Sequence, residues 1–214
     1  MYKKLDISHI KNRLDIRGDV NLDTNAGKVL YSVAKLPEVN KFLELGTQFG
    51  TSAECIARGL MESSGHLDAV EFIKERYKYA SKQLESLPVK CHLGKSFSEK
   101  AVDKNYSGGR NYFNLPGTRA NDKTMSQQGI LEKLVSENEY QAAFLDTCVA
   151  TQSKEFNYLE EKTNIKYIIM HEPNVKCGDV LRRLKTDNSV WNLLEDGYDN
   201  IRGHKVYYTL YERK

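Results

Sequence analysis

The chain has 214 residues, of which 40% are hydrophobic and 29% charged. That composition supplies one domain-sized core and excludes a collagen-like or wholly disordered polymer. Lys and Arg (32) outnumber Asp and Glu (29) by only 3, which argues against a nucleic-acid coat. No run approaches the roughly 18 consecutive apolar residues of a membrane span. Residues 1–6 carry charge with no apolar stretch behind them, so a signal peptide is not expected. Cys55, Cys91, Cys148 and Cys177 lie far apart and form no Cys-x-x-Cys pair. Such usage is expected of reduced thiols in a cytoplasmic protein rather than of a disulfide frame or a zinc site.

Up to Leu36 the chain reads as two polar helices, the second with Ala26, Leu30, Val33 and Ala34 at helical spacing and Pro37 as its stop. Residues 1–37 are therefore expected to form a helical cap on a single domain spanning 1–214. Residues 41–45 read as a short buried strand, and a helix with Ala53, Ile56, Ala57, Leu60 and Met61 on one face follows the glycines at 46 and 50. Thr51-x-x-Glu54 is a capping-box pattern for that helix. A strand over 67–72, a helix with Tyr77, Ala80 and Leu84 inward, and a strand over 89–93 come next. Residues 103–129 have a loop-like composition, with Gly108, Gly109, Pro116 and Gly117 among Tyr106, Arg110, Tyr112 and Phe113. A loop of that length suggests a substrate lid, and those four large side chains are its candidate acceptor contacts.

The regular pattern resumes with a helix carrying Ile130, Leu131, Leu134 and Val135, a strand over 142–146, a helix around Phe156 and Leu159, and a strand over 167–171. A helical region is expected over 178–194, with Val180, Leu181, Leu184, Val190 and Trp191 on it. Strands over 198–202 and 205–211, separated by Gly203-His204, suggest an antiparallel hairpin. Alternating strands and helices predict an α/β fold, a doubly wound and mostly parallel sheet with helices on both faces, made mixed by that hairpin. Ligands of such sheets sit beyond the carboxyl ends of the strands. That rule singles out residues 46–52, Glu71, Ser96, Asp146 and the segment after Met170.

Glu44-Leu-Gly46-Thr-Gln-Phe-Gly50-Thr-Ser52 lies between a strand and a helix, where glycines permit a sharp turn and the helix start offers free N–H groups. It is neither Gly-x-Gly-x-x-Gly nor a P-loop. An acid at Glu44 would repel a pyrophosphate but suits an ammonium group. Glu71 ends the next strand, where an acid commonly accepts both hydroxyls of an adenosine ribose. Together they favour a nucleoside cofactor.

These residues resemble the first two motifs of class I S-adenosylmethionine-dependent methyltransferases, and the closing hairpin is similar to the antiparallel end of their Rossmann-like seven-stranded sheet. The resemblance implies S-adenosyl-L-methionine as cofactor. Gly46 and Gly50 would lie beside its methionine moiety with Thr51 and Ser52, Glu44 would face its amino group, Glu71 would bind the ribose, and Phe72 and Ser96 would approach the adenine. Phe144-Leu-Asp146 and Met170-His-Glu172-Pro-Asn174 place two acids at neighbouring strand ends, a donor set suited to Mg²⁺ or Ca²⁺. This looks like the catechol-type and macrocin-type O-methyltransferases. By that resemblance Asp146, Glu172 and Asn174 would hold a metal, with His171 as general base and Asp146 beside it. The chain departs from those families after Asp146, where it reads Thr-Cys-Val-Ala-Thr-Gln152 without their Asp-His or catalytic Lys.

The expected activity is methyl transfer to an oxygen of a small molecule, a sugar or a polyhydroxylated metabolite. The alternatives are a noncatalytic methyltransferase-like binding protein and a nucleotide-dependent oxidoreductase. The excess of Lys and Arg over residues 74–104 reads as a solvated helix face. His9, His66, His92 and His204 read as surface or turn residues, and the oligomeric state stays open, a homo-oligomer included.

Overall fold

The computed structural model describes residues 20–97, 128–149, 151–201 and 203–214. Its elements run α1 (Asn25–Ala34), β1 (Lys41–Leu45), α2 (Thr51–Ser63), β2 (His66–Glu71), α3 (Lys74–Gln83), β3 (Val89–Leu93), α4 (Ile130–Glu137), β4 (Ala142–Leu145), α5 (Gln152–Lys162), β5 (Tyr167–His171), α6 (Pro173–Lys176), α7 (Gly178–Thr186), β6 (Trp191–Ile201) and β7 (His204–Arg213). The seven strands form one sheet in the order β3-β2-β1-β4-β5-β7-β6. The pairs β3–β2, β2–β1, β1–β4 and β4–β5 are parallel, and β7 runs antiparallel to both β5 and β6. The chain winds outward from β1 to β3, then returns to lay β4 against the other side of β1. The reversal of strand order therefore falls between β1 and β4, where a doubly wound sheet opens its crevice.

The central parallel strands β1, β4 and β5 are short, largely apolar runs because both of their faces are covered. Phe42, Phe144 and Ile169 point to one face, where Leu30 and Val33 of α1 and Ile56 and Leu60 of α2 close over them. Leu43, Leu45, Leu145, Ile168 and Met170 point to the other, against Leu131 and Leu134 of α4, Phe156 and Leu159 of α5, and Leu184 of α7. Side chains alternate along a strand. The residues two positions beyond Phe42, Ala69, Phe144 and Ile169 are Glu44, Glu71, Asp146 and His171, so all four share the first face at its carboxyl edge.

Several expectations from the sequence are corrected. The helix over 178–194 is two elements, because α7 stops at Thr186 and Asp187 turns extended. Trp191 opens β6 instead, buried and donating its indole N–H to Glu160 at 2.7 Å. The hairpin strands are accordingly longer than 198–202 and 205–211, with an irregularity in register between Leu193 and Glu195. The capping box at Thr51 does not form. Gly50 is the N-cap in a left-handed conformation, and Glu54 pairs with Arg58 at 2.5 Å. Met61, expected on the buried face of α2, is 56% exposed. His92 is a β3 residue bonded at 2.7 Å to the buried carboxylate of Asp68, which also accepts from the Tyr140 hydroxyl at 2.8 Å. The first of the two N-terminal helices, and the loop with Tyr106, Arg110, Tyr112 and Phe113, fall outside the described residues. Among the described residues no helix is long and apolar enough to cross a membrane.

Candidate active site

The turn after β1 is fixed from both sides. The N–H groups of Gly46 and Thr47 both donate to the Val70 carbonyl of β2, at 3.0 and 3.1 Å, and Gly50 N–H closes the turn onto the Thr47 carbonyl at 2.9 Å. Gly46 has φ +97°, and a Cβ there would stand 2.4 Å from the carbonyl oxygen of Asp146. Glycine is required at 46 for both its conformation and its approach to β4. Gln48 also adopts positive φ (50°), as does Glu172 (49°) after β5. Non-glycine residues in that region carry strain and gather at binding and catalytic sites. Gln48 follows β1 and Glu172 follows β5, on either side of the carboxyl end of β4, whereas Ser64 (57°) is the C-cap of α2.

Glu71 secures the turn from β2. Its carboxylate accepts from Gln48 N–H at 2.8 Å and from Ile73 N–H at 2.7 Å, and the residue is 3% exposed. A carboxylate offers about four lone-pair sites, so these two bonds leave room for a further pair of donors. Glu44 lies beneath the turn, fully buried, with its oxygens taken by the hydroxyls of Thr47 (2.8 Å) and Ser52 (2.5 Å). Burial pushes its acid up to about 7, against the hydrogen bonds of Ser52 and Thr47. Glu44 therefore braces the glycine turn from within, its carboxylate shielded from solvent. Thr51 opens α2, and Phe72 follows β2 half-buried. Ser96, after β3, donates its hydroxyl to Glu155 of α5, as does Thr147 after β4. Glu155 is fully buried, and burial likewise pushes its acid to about 7.

A second polar group sits at the ends of β4 and β5. Nδ1 of His171, itself 2% exposed, lies 3.1 Å from Oδ1 of Asp146, off the direction of a full hydrogen bond. Lys176 of α6 reaches back between the acids. Its ammonium bonds Asp146 and stands 3.1 Å from Oε2 of Glu172, one helical turn before it. Burial alone would raise the Asp146 acid, but Lys176 and His171 outweigh it and hold it down at about 2. Ligating atoms of Asp146, His171 and Glu172 all lie within 4.8 Å of one another. Asn174, the third expected ligand, is exposed on α6. Gln152 ties the two strand ends together, donating to the carbonyls of Leu145 and His171 at 3.2 and 3.1 Å.

Lys176, Glu155 and Gln152 were not singled out in the sequence. Lys176 stands four residues after Glu172, the spacing of a helical ion pair, and an expected helix after Pro173 would have revealed it. Glu155 and Gln152 carry no comparable signal, since each acts across elements.

The sequence matches no protein-family model and no curated protein. Solved structures do match. The O-methyltransferase TomG of Streptomyces achromogenes, in complex with SAM, is 16% identical with a TM-score of 0.62, covering 97% of this chain and 86% of its own. An O-methyltransferase of Bacillus cereus with SAH is 14% identical (TM-score 0.56; 87% and 80% covered), and a SAH-bound methyltransferase of Podospora anserina is 13% identical (0.55; 88% and 77%). The chain has the class I methyltransferase fold. In this methyltransferase fold the glycine turn, Glu71 and Asp146 all meet at the carboxyl edge where the strand order reverses.

Proposed function

We propose that the protein is an S-adenosylmethionine-dependent O-methyltransferase acting on a hydroxylated small molecule. The observation that carries this reading is the glycine turn after β1 bound through Gln48 N–H to Glu71, placed at the strand-order reversal of a methyltransferase fold. The matched structures hold SAM or SAH, in agreement with that cofactor. S-adenosylmethionine, when bound, supplies a methyl group on a sulfonium for displacement by an oxygen nucleophile.

The chain's own part is to bind, align and move a proton. Gly46 and Gly50 let the backbone approach the cofactor closely, and Glu71 accepts the ribose hydroxyls on the lone pairs its two backbone bonds leave free. His171, with the Asp146 carboxylate 3.1 Å from its Nδ1, takes the proton of the acceptor hydroxyl. Alignment of acceptor oxygen and methyl carbon supplies most of the rate. The charged cluster of Asp146, His171, Glu172 and Lys176 suits a polar acceptor such as a sugar or polyhydroxylated metabolite over an apolar one.

The test is calorimetric titration of S-adenosylhomocysteine into wild type and Glu71→Ala, with the thermal midpoint of each as a control for folding. Wild type should bind in the micromolar range, and the substitution should weaken binding at least about tenfold, or 1.4 kcal/mol. No binding to wild type would remove the methyltransferase reading, and binding of NADH in its place would favour the oxidoreductase. Tight binding without turnover of any hydroxylated acceptor would favour the noncatalytic one.

A further inference from the structure

Asp146 and Glu172 approach each other as a pair of metal ligands would, but what lies between them is an ammonium group. Lys176 contacts both carboxylates, and its side chain is only 14% exposed. The ammonium is held by position as well as by charge, since Lys176 ends the short helix whose N-cap, four residues before it, is Glu172. A divalent ion bridging the same oxygens would lie within a few ångströms of Nζ, where two cations repel strongly. Ion and ammonium are therefore mutually exclusive.

We propose that the Lys176 ammonium is the resident cation of this site, standing where Asp146, His171 and Glu172 would otherwise hold a divalent ion, and that the protein binds no such ion there. The donor set around it fits an ion in every other respect: two carboxylates and an imidazole whose ligating atoms lie within 4.8 Å of one another. Nδ1 of His171 is buried without a well-aligned partner, a nitrogen available to a metal once the ammonium is gone. The substitution alters what the site can do. An ammonium supplies one charge and three donors, two of them already directed at Asp146 and Glu172, and it has no open coordination positions with which to chelate two neighbouring oxygens.

Binding of Mn²⁺ tests this without any turnover, followed by loss of the free-ion paramagnetic resonance signal. The proteins compared are wild type, Lys176→Met, and Lys176→Met combined with Glu172→Gln. Wild type should leave Mn²⁺ free and keep the same thermal midpoint in chelator and in Mn²⁺. Lys176→Met should bind one ion per chain, at least about tenfold more tightly than wild type, and the added Glu172→Gln should abolish it. The proposal is overturned if wild type binds one ion that Asp146→Asn removes, or if folded Lys176→Met binds none. Loss of the ammonium leaves two acids unpaired and can unfold the chain. In that case the wild-type titration with its Asp146→Asn control decides alone. S-adenosylhomocysteine affinity, measured on the same samples, shows separately whether the cofactor reading holds.

Discussion

Single acids in this protein are tuned in opposite directions by their neighbours. Glu44 is buried among hydroxyls and its acid stands near 7, whereas Asp146, beside Lys176 and His171, stands near 2. Below its ordinary value of 4.5, Glu44 is protonated in both folded and unfolded chains and has no effect on their balance. As pH rises from 4.5 toward 7 the unfolded chain gives up a proton that the folded chain keeps, so stability falls across that window and levels off above it. Asp146 has the reverse sign, contributing stability above its ordinary 3.8 that is lost as pH falls toward 2. Glu44→Gln keeps an oxygen for Ser52 or Thr47 and removes the titration. Its thermal midpoint should gain on wild type steadily between pH 4.5 and 7 and run parallel to it outside that range. A constant offset over the whole range would mean that Glu44 is ionised in the folded protein throughout.

Elements far apart in sequence finish one another here. The first two N–H groups of α1 find their acceptor on the last hairpin, because Asp199 of β6 takes Asn25 N–H at 2.7 Å and Ala26 N–H at 3.0 Å. Thr24 caps the same helix locally, accepting from Gly27 N–H at 3.1 Å. Asp199→Ala should therefore cost about 1–2 kcal/mol, as losing an N-cap does. The urea midpoint should fall with the slope of the transition unchanged. An unaltered midpoint would show that water serves those N–H groups equally well. The same long-range dependence decides what could be read from sequence. β1 and β5 were legible to the residue because strands covered on both faces run largely apolar, and β3, an edge strand that alternates Lys90 and His92 with apolar residues, because Pro88 and Gly94 bound it. β6 was not, because Asn192, Glu195, Asp196, Asp199 and Asn200 have no preference for strands and are held there by pairing with β7. In the site, the glycine turn and Glu71 were legible because their spacing reflects one strand–turn–helix–strand unit. The carboxylate of Glu155 was not, since its partners Ser96 and Thr147 sit on other elements, and the ammonium of Lys176 was missed because no helix was expected directly after Pro173.

Across the whole molecule, both halves of the core depend on the last strand. Tyr208 and Leu210 of β7 enter the cluster around Phe42 and Phe144, and Tyr211 enters the one around Leu43 and Phe156. β7 also supplies the antiparallel partner for β5 from Tyr167 to His171, and thus holds the strand that carries the site's histidine. A chain ending at residue 203 should show no cooperative thermal transition, although it keeps every residue of the proposed cofactor site. A sharp transition in that truncated chain would show that the parallel half of the sheet folds by itself.

That placement has a consequence for how the protein is made. Translation releases β6 before β7, yet β7 lies between β5 and β6 in the finished sheet. Until β7 has been made, the nascent chain holds the open edge of β5 and an outer strand with nothing to pair with, and such edges invite association with other chains. The sheet closes only when β7 inserts between β5 and β6. A chain that stops before β7 would thus be a sticky polypeptide rather than a slightly shortened form of the same fold.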